Sequence, residues 1–268
     1  MDVDVIDKFD LILNVFEAHA VSRDAKLQIE LARLSRNIPY VKTLLGRRVR
    51  AEHPGYGGAG EFIVHSSLTG IRKRISKINS ELTKLEAQKE IMREKRKEIA
   101  KIVSLAGYTN SGKTTLLNSL TGEELLVKDE LFTTLHTKTS RMKWNGEKIL
   151  ISDTIGFIRK LPHVLISAFR ATLSDIRYSD LILLVTDFSN PLKEIVQKLK
   201  VCQATLKEIN AEDVPLIHVF NKVDRLNVEE IEFKLKALEA IVQDPILISA
   251  KYGLNLNELK NKVIENLS

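Results

Sequence analysis

Apolar positions in this chain follow two different periods, and the change between them falls near residue 98. Leu27, Leu31, Leu34, Ile38, Val41 and Leu45 alternate spacings of four and three, and Leu68, Ile71, Ile75, Ile78, Leu82 and Leu85 do the same. A period of about 3.5 residues gives a helix a narrow apolar seam. Two such seams on either side of a loop predict an antiparallel α-helical hairpin. Pro39 predicts a kink or a split in the first helix. Between the seams, Pro54-Gly55-Tyr56-Gly57-Gly58-Ala59-Gly60-Glu61 carries four glycines and predicts a connector without regular structure.

From Ile102 onward, short apolar runs alternate with helical patterns. Residues 102–106, 148–152, 216–220 and 246–248 read as strands. Helices are expected near 115–120, 163–178, 191–209, 229–242 and 255–267, with Pro162, Pro191 and Asn227 at or near helix starts. Met142-Lys143-Trp144 and Lys148-Ile149-Leu150 flank Asn145-Gly146, which predicts a type I′ hairpin. The expected fold class is α/β: a mostly parallel six-stranded sheet with one antiparallel edge strand, over residues 99–268, preceded by the helical hairpin of residues 1–98.

Chemistry enters at the end of the first strand. Gly107-Tyr108-Thr109-Asn110-Ser111-Gly112-Lys113-Thr114 fits G-x-x-x-x-G-K-[ST] between a strand and a helix. Backbone N–H groups of such a loop, with those of the helix start at Thr115, bind phosphate oxygens. Lys113 is expected to reach the β- and γ-phosphates and the Thr114 hydroxyl to hold Mg²⁺. The loop alone specifies a nucleoside triphosphate and no base. Asn221-Lys222-Val223-Asp224 supplies the base. The Asp224 carboxylate can accept from the N1–H and N2–H edge of guanine, whereas adenine would leave it unpaired. Lys222 is expected to lay its stem over the base and Asn221 to tie this segment to the phosphate loop. In Ser249-Ala250-Lys251, the Ala250 N–H is expected to meet guanine O6.

The switch segments come next. Asp153 is expected to hold Mg²⁺ through water, and the Gly156 N–H to meet the γ-phosphate. In Leu131-Phe132-Thr133-Thr134-Leu135, Thr134 is preferred over Thr133 as a Mg²⁺ ligand present only with the γ-phosphate, an order–disorder switch. Lys113, Thr134 and Gly156 are thus the candidate catalytic groups. Many GTPases orient the attacking water with a Gln after D-x-x-G. Here Phe157 follows Gly156, and a phenyl ring can neither orient nor deprotonate water. Slow intrinsic hydrolysis is therefore expected, the missing group coming from elsewhere in the chain or from a partner. Arg159 and Lys160 are candidates for charge stabilisation, although solvated surface charge is the plainer reading of both.

The run Asp153-Thr154-Ile155-Gly156-Phe157-Ile158-Arg159-Lys160-Leu161-Pro162-His163, followed by Ala168-Phe169-Arg170-Ala171-Thr172-Leu173, resembles the HflX family of translational GTPases. The phosphate loop, residues 131–135, and Lys26-Leu27-Gln28-Ile29-Glu30-Leu31-Ala32-Arg33-Leu34 are similar to the same family. The resemblance covers nearly the whole chain. It implies a Ras-like G domain and GTP hydrolysis to GDP coupled to the large ribosomal subunit and its RNA, with splitting of stalled or idle ribosomes. It also implies that the glycine-rich loop reaches toward the peptidyl-transferase region. Gly58-Ala59-Gly60-Glu61 stands at the family's G-P-G-E signature, with Ala59 in place of proline. Of the α/β subdomain that usually precedes the hairpin, only residues 3–7 and the helix-like 9–16 remain. Residues 3–20 are then expected to present uncovered apolar surface, a candidate for self-association.

Charge agrees with an RNA-facing N-terminal part. Residues 1–100 hold 19 Lys+Arg against 14 Asp+Glu, and the rest hold 22 against 21, which together make the net +6. The excess is densest from Arg23 to Arg50, as phosphate backbones require, although solvated helix faces explain charge alone equally well. The single Cys202 has no disulfide or zinc company and is expected to pack as a small apolar residue in a reducing cytosol. No apolar run reaches the ~18 residues of a membrane span, and the six histidines show no ligand spacing. Two other readings stand beside the ribosomal GTPase: an RNA-binding or assembly module with vestigial hydrolysis, and an Obg-like ATPase, which Asp224 disfavours.

Overall fold

The computed structural model describes residues 7–20, 22–51, 59–97, 100–122, 138–144, 146–153, 157 and 176–267. They divide into two compact units, one ending at Ile91 and one beginning at Met92.

The first unit is helical: α1 (Lys8–His19), α2 (Arg23–Ala51) and α3 (Ala59–Lys97). Asp7 caps α1 by accepting from the Asp10 N–H at 2.9 Å. The register between α2 and α3 is legible in their ion pairs. Arg23 meets Glu81 at 2.9 Å and Glu30 meets Arg74 at 2.6 Å, so a step of seven along α2 is a step of seven back along α3. This is antiparallel heptad pairing. These exposed pairs fix register more than stability. The seam between them buries Ile78 completely and Leu27 to 8% exposure, while Leu31, Leu34, Ile38, Ile71, Ile75 and Leu82 are half-buried.

Three expectations are corrected here. The helix runs through Pro39 without a split, although a proline inside a helix loses one hydrogen bond and costs about 3 kcal/mol. Residues 59–61, read as connector, open α3, because Ala and Glu are good helix formers and a terminal glycine is tolerated. Residues 52–58 of that loop lie outside the described residues. The apolar surface expected over residues 3–20 is largely covered where it is described: Leu13 and Phe16 are buried, Ile12 nearly so, and α1 packs on α2, while Leu11 stays exposed. Arg36 pairs with Asp7 and Asp10 and lies 4.8 Å over the Phe9 ring, and Arg33 reaches Asn14 and Glu17. A self-association surface on α1 is therefore not supported. Residues 3–6 are outside the described residues.

The second unit is a six-stranded sheet in the order β2-β3-β1-β4-β5-β6. The strands are β1 (Lys101–Ala106), β2 (Lys138–Trp144), β3 (Glu147–Asp153), β4 (Leu181–Asp187), β5 (Leu216–Asn221) and β6 (Ile246–Leu247), with helices α4 (Lys113–Thr121), α5 (Leu192–Glu208), α6 (Val228–Leu238) and α7 (Leu256–Leu267). All pairs are parallel except the edge pair β2–β3. This is the expected mixed α/β sheet. Of the expected hairpin turn, Gly146 has φ +85° and Asn145 lies outside the described residues. Of the helix expected over 163–178, only residues 176–178 are described.

One sheet face packs Val103, Leu105, Ile151, Leu183, Val185 and Val219 against Leu116 and Leu120 of α4 and Leu259 and Val263 of α7. The other face meets α5, where Ile195, Leu199, Cys202 and Leu206 are buried. Central β4 is therefore apolar on both faces, as covered parallel strands are. Asn227 caps α6 in a box, accepting from the Glu230 N–H at 2.8 Å while its own N–H donates to the Glu230 carboxylate at 3.0 Å.

Two tests follow. Ile78→Ala should lower unfolding free energy by about 2–4 kcal/mol in urea titration of the full chain; a shift below about 1 kcal/mol would contradict the buried seam. In β5, burial holds the His218 imidazole below its ordinary 6.5, and its Nδ1 has no hydrogen-bond partner among the described residues. The unfolded chain binds a proton that the folded chain refuses, so this contribution is whole above about pH 6.5 and is lost as pH falls through that value. The urea midpoint should drop between about pH 7.5 and pH 5.5, and His218→Leu should reduce that drop.

Candidate functional site

The C-terminal ends of β1, β4 and β5 lie side by side, because Leu105 is in register with Leu183 and Asp187 with Asn221. Loops leaving these ends meet at one place, the usual position of ligand sites in open parallel sheets. The loop from Gly107 to Gly112 leaves β1 and turns into the N-terminus of α4. Two of its glycines are required by contact as well as by conformation. A Cβ on Gly107 (φ +148°) would stand 2.2 Å from the Val185 carbonyl oxygen, and one on Gly112 (φ +93°) 2.3 Å from Asn221 Nδ2. Asn110 also takes the left-handed region, φ +61°, which Asn tolerates better than most residues.

Lys113 curls back under the loop. Its ammonium donates to the carbonyls of Gly107 at 3.3 Å and Tyr108 at 3.1 Å, and is buried. Burial holds it below its ordinary value, while Asp153 and Cys202 pull it partly back up. Among the described residues two of its three donors are occupied by the loop, which leaves the third for an anion. Beneath it, Cys202 is buried on α5, as a small core residue should be; burial pushes its thiol up to about 12, out of reach of thiolate chemistry near neutrality.

The Thr114 hydroxyl donates to Asp153 Oδ2 at 2.8 Å. The pair presents only oxygen donors, a hydroxyl and a buried carboxylate, which suits a hard cation such as Mg²⁺. No cluster of three or more acidic, His or Cys ligands occurs among the described residues. Thr134 and Gly156 lie outside the described residues, as do Arg159 and Lys160. Phe157 is described, and its ring is 2% exposed. Its N–H donates to the Gly107 carbonyl at 2.9 Å, and its carbonyl accepts from the Thr109 N–H at 3.0 Å. The residue after D-x-x-G therefore serves as a backbone clamp on the phosphate loop, with its side chain in the core.

Asn221 joins three segments. Its Nδ2 donates to the Ser111 carbonyl at 2.9 Å, and its Oδ1 accepts from the Ala250 N–H at 2.9 Å. The Ala250 N–H, expected to meet guanine O6, donates here to Asn221 Oδ1, and a purine oxygen would have to share it. The Lys222 ammonium donates to the Asn110 carbonyl and to Asp187 Oδ2, each at 2.7 Å. Asp224 is exposed and accepts from the buried Ser249 hydroxyl at 2.5 Å. Ser119 of α4 donates to the Ala250 carbonyl at 2.6 Å and so holds the same loop from below. Lys251 is exposed, its ammonium 5.0 Å from the Tyr252 ring centroid. Thr115 lies in the first turn of α4. Asp187 was missed from sequence, because nothing marks a lone Asp after an apolar run until strand register places it opposite Asn221.

Comparison with known proteins agrees with this arrangement. Residues 102–222 match a family model described as "50S ribosome-binding GTPase", and residues 19–96 match one described as "GTP-binding GTPase Middle Region". The chain is 37% identical over 270 residues to the GTPase HflX of Saccharolobus solfataricus, covering 98% of this chain and 76% of that protein. The chain belongs to the HflX family. It is also 41% identical over 266 residues to the GTPase HflX of Methanocaldococcus jannaschii, covering 99% of this chain and 66% of that protein. Like several other HflX relatives, that one is about one and a half times as long as this chain. Among solved structures, the HflX-type fold seen here is similar to a GTP-binding protein from Sulfolobus solfataricus in complex with GDP, with TM-score 0.62, 30% identity, and coverage of 98% of this chain and 72% of that one. No helix among the described residues is long and apolar enough to cross a membrane.

The contact at Gly112 gives a direct test. Gly112→Ala puts a methyl into Asn221 and strains a left-handed residue, so guanine-nucleotide affinity should fall at least ~100-fold with the fold retained. Titration with fluorescent GDP, with circular dichroism as the control for folding, would show it; near-normal affinity would refute the geometry.

Proposed function

We propose that this protein binds GTP and hydrolyses it to GDP as a switch that associates with the large ribosomal subunit. The observation that carries this reading is the Asn221 junction, which holds the phosphate loop, the Asp224 segment and the Ser249–Lys251 loop in one place. The Asp224 carboxylate keeps acceptor capacity beyond its bond from Ser249, enough for two donors on the guanine edge. Adenine would leave that capacity unpaired, at a cost of about 1–3 kcal/mol. Tyr108 to Thr115 would surround the phosphates, and Lys113 would meet the β- and γ-oxygens with its remaining donor.

Thr114 and Asp153 would hold Mg²⁺, completed by Thr134 while the γ-phosphate is present. The ion would neutralise charge on the β- and γ-phosphates. The Gly156 N–H would bond the γ-phosphate and couple its presence to the following segment. Phe157 leaves the attacking water without a side chain to orient it, which supports slow intrinsic hydrolysis and a partner that completes the site.

Residues 1–98 are the arm that meets the ribosome and residues 99–268 the G domain. The basic excess of the N-terminal part and the family description support ribosomal RNA as the contact, in a cytoplasmic setting. Splitting or rescue of ribosomes is the proposed outcome. The buried Phe157 ring favours one alternative, an RNA-binding or ribosome-assembly module whose hydrolysis is vestigial.

Single-turnover GTP hydrolysis with and without large subunits separates the two. The switch reading expects stimulation of at least about tenfold, in line with partner-completed GTPase sites; no stimulation favours the vestigial module. Base choice is tested by Asp224→Asn, expected to lose roughly 100-fold in GTP affinity and to gain xanthosine triphosphate binding. An unchanged preference for GTP would overturn the guanine assignment.

A further inference from the structure

A largely enclosed ionic link between Lys222 and Asp187 ties the Asn221–Asp224 segment to the end of β4. Lys222 takes the left-handed region at φ +68°, which costs an L-residue about 1–2 kcal/mol. Its ammonium spans two elements, the Asn110 carbonyl in the phosphate loop and the carboxylate of Asp187 at the end of β4. Both side chains are largely enclosed, Lys222 at 17% exposure and Asp187 at 14%. An enclosed, charge-assisted bond of this kind is roughly twice as strong as a neutral one.

Asp187 is itself fixed from every side. Its Oδ1 accepts from the Ser189 N–H at 3.0 Å and the Ser189 hydroxyl at 2.6 Å, and its carbonyl accepts from Asn190 Nδ2 at 3.0 Å. The next residue, Phe188, donates its N–H to the Asn221 carbonyl at 2.8 Å and stacks on Phe220 with centroids 4.5 Å apart. The buried ammonium of Lys234, on α6, then donates to the carbonyls of Phe188 at 3.0 Å and Asn190 at 3.1 Å. An ammonium buried among carbonyls is costly to keep, and here it does one visible thing: it fixes the 188–190 turn that aims the Asp187 carboxylate. Burial raises the Asp187 carboxyl, but the Lys222 ammonium and Ser189 outweigh it and hold it below its ordinary value, so the pair is ionised near neutrality.

We infer that Asp187 is a positioning residue for the nucleotide base: it anchors the Lys222 ammonium so that the lysine stem is held in place beside the base, with Lys234 bracing the turn from α6. The inference rests on the guanine-nucleotide reading above and adds to it a determinant of how long the nucleotide stays. The base would dock against a lysine already fixed at both ends, so no ordering of that side chain is left for the binding step.

The test is a double-mutant cycle on the dissociation rate of fluorescent GDP from the full chain. Asp187→Asn keeps the shape and removes the charge, and should speed GDP release about tenfold with the fold retained by circular dichroism. Asp187→Glu keeps the charge and should recover part of the loss. Lys222→Met should speed release by itself, and adding Asp187→Asn to it should change the rate by less than twofold. Release from Asp187→Asn within twofold of wild type would overturn the inference alone, as would an Asp187→Asn effect that persists in full on the Lys222→Met background. A wild-type chain that does not retain GDP would overturn the guanine reading and the inference together.

Discussion

The two hydrogen bonds of the Asn221 side chain are what the rest of the site depends on. One amide, 2% exposed, donates to the phosphate loop and accepts from the loop after β6. Without it, three segments far apart in sequence would share a neighbourhood but not a geometry. Gly112 is glycine because Asn221 Nδ2 occupies the space a Cβ would need. Asn221 is reachable because β5 runs in register with β4, and β4 with β1. The sheet therefore works as an alignment device, bringing the ends of β4 and β5 to one level just beyond the end of β1, so that short polar side chains can bridge between the loops.

Around that junction the protein keeps several charges out of water. Lys113 lies beneath the phosphate loop, donating to two of its carbonyls with Asp153 and Cys202 nearby. Lys234 is buried against carbonyls, and the Lys222–Asp187 pair is largely enclosed. Buried charges destabilise a fold unless paired, and they are retained where they fix geometry or meet a ligand. Here they ring the place where a charged nucleotide would sit. Phe157 contributes in the opposite way: its backbone clamps the loop and its ring joins the core, so the position that carries a water-orienting Gln in many GTPases is committed to structure.

Much of this was legible in the sequence because each element announces itself locally. Parallel strands are short apolar runs, and the phosphate loop is a fixed spacing of glycines, a lysine and a threonine. The helical seams were visible in their spacing, and ion pairs seven residues apart show the register they imply. What escaped the sequence was set by tertiary context. Leu181–Asp187 is buried along nearly its whole length, yet no motif follows it, so the pairing of Asp187 with Lys222 is visible only once register is known. Pro39 stays within a helix although local propensity disfavours it, and Ala59 opens one although it sits in a glycine-rich run. The Ala250 N–H turned to Asn221 because a buried side-chain carbonyl needs a donor, a demand that no tetrapeptide pattern records.

The central claim is that Asn221 holds together a site selective for guanine nucleotides. Equilibrium titration of wild-type protein and Asn221→Ala with fluorescent GDP and ADP addresses it most directly. Wild type should bind GDP at least ~100-fold more tightly than ADP, and Asn221→Ala should lose most of that affinity, since truncation unpairs both the Ser111 carbonyl and the Ala250 N–H. Equal affinity for the two nucleotides, or undiminished GDP binding by Asn221→Ala, would contradict the account.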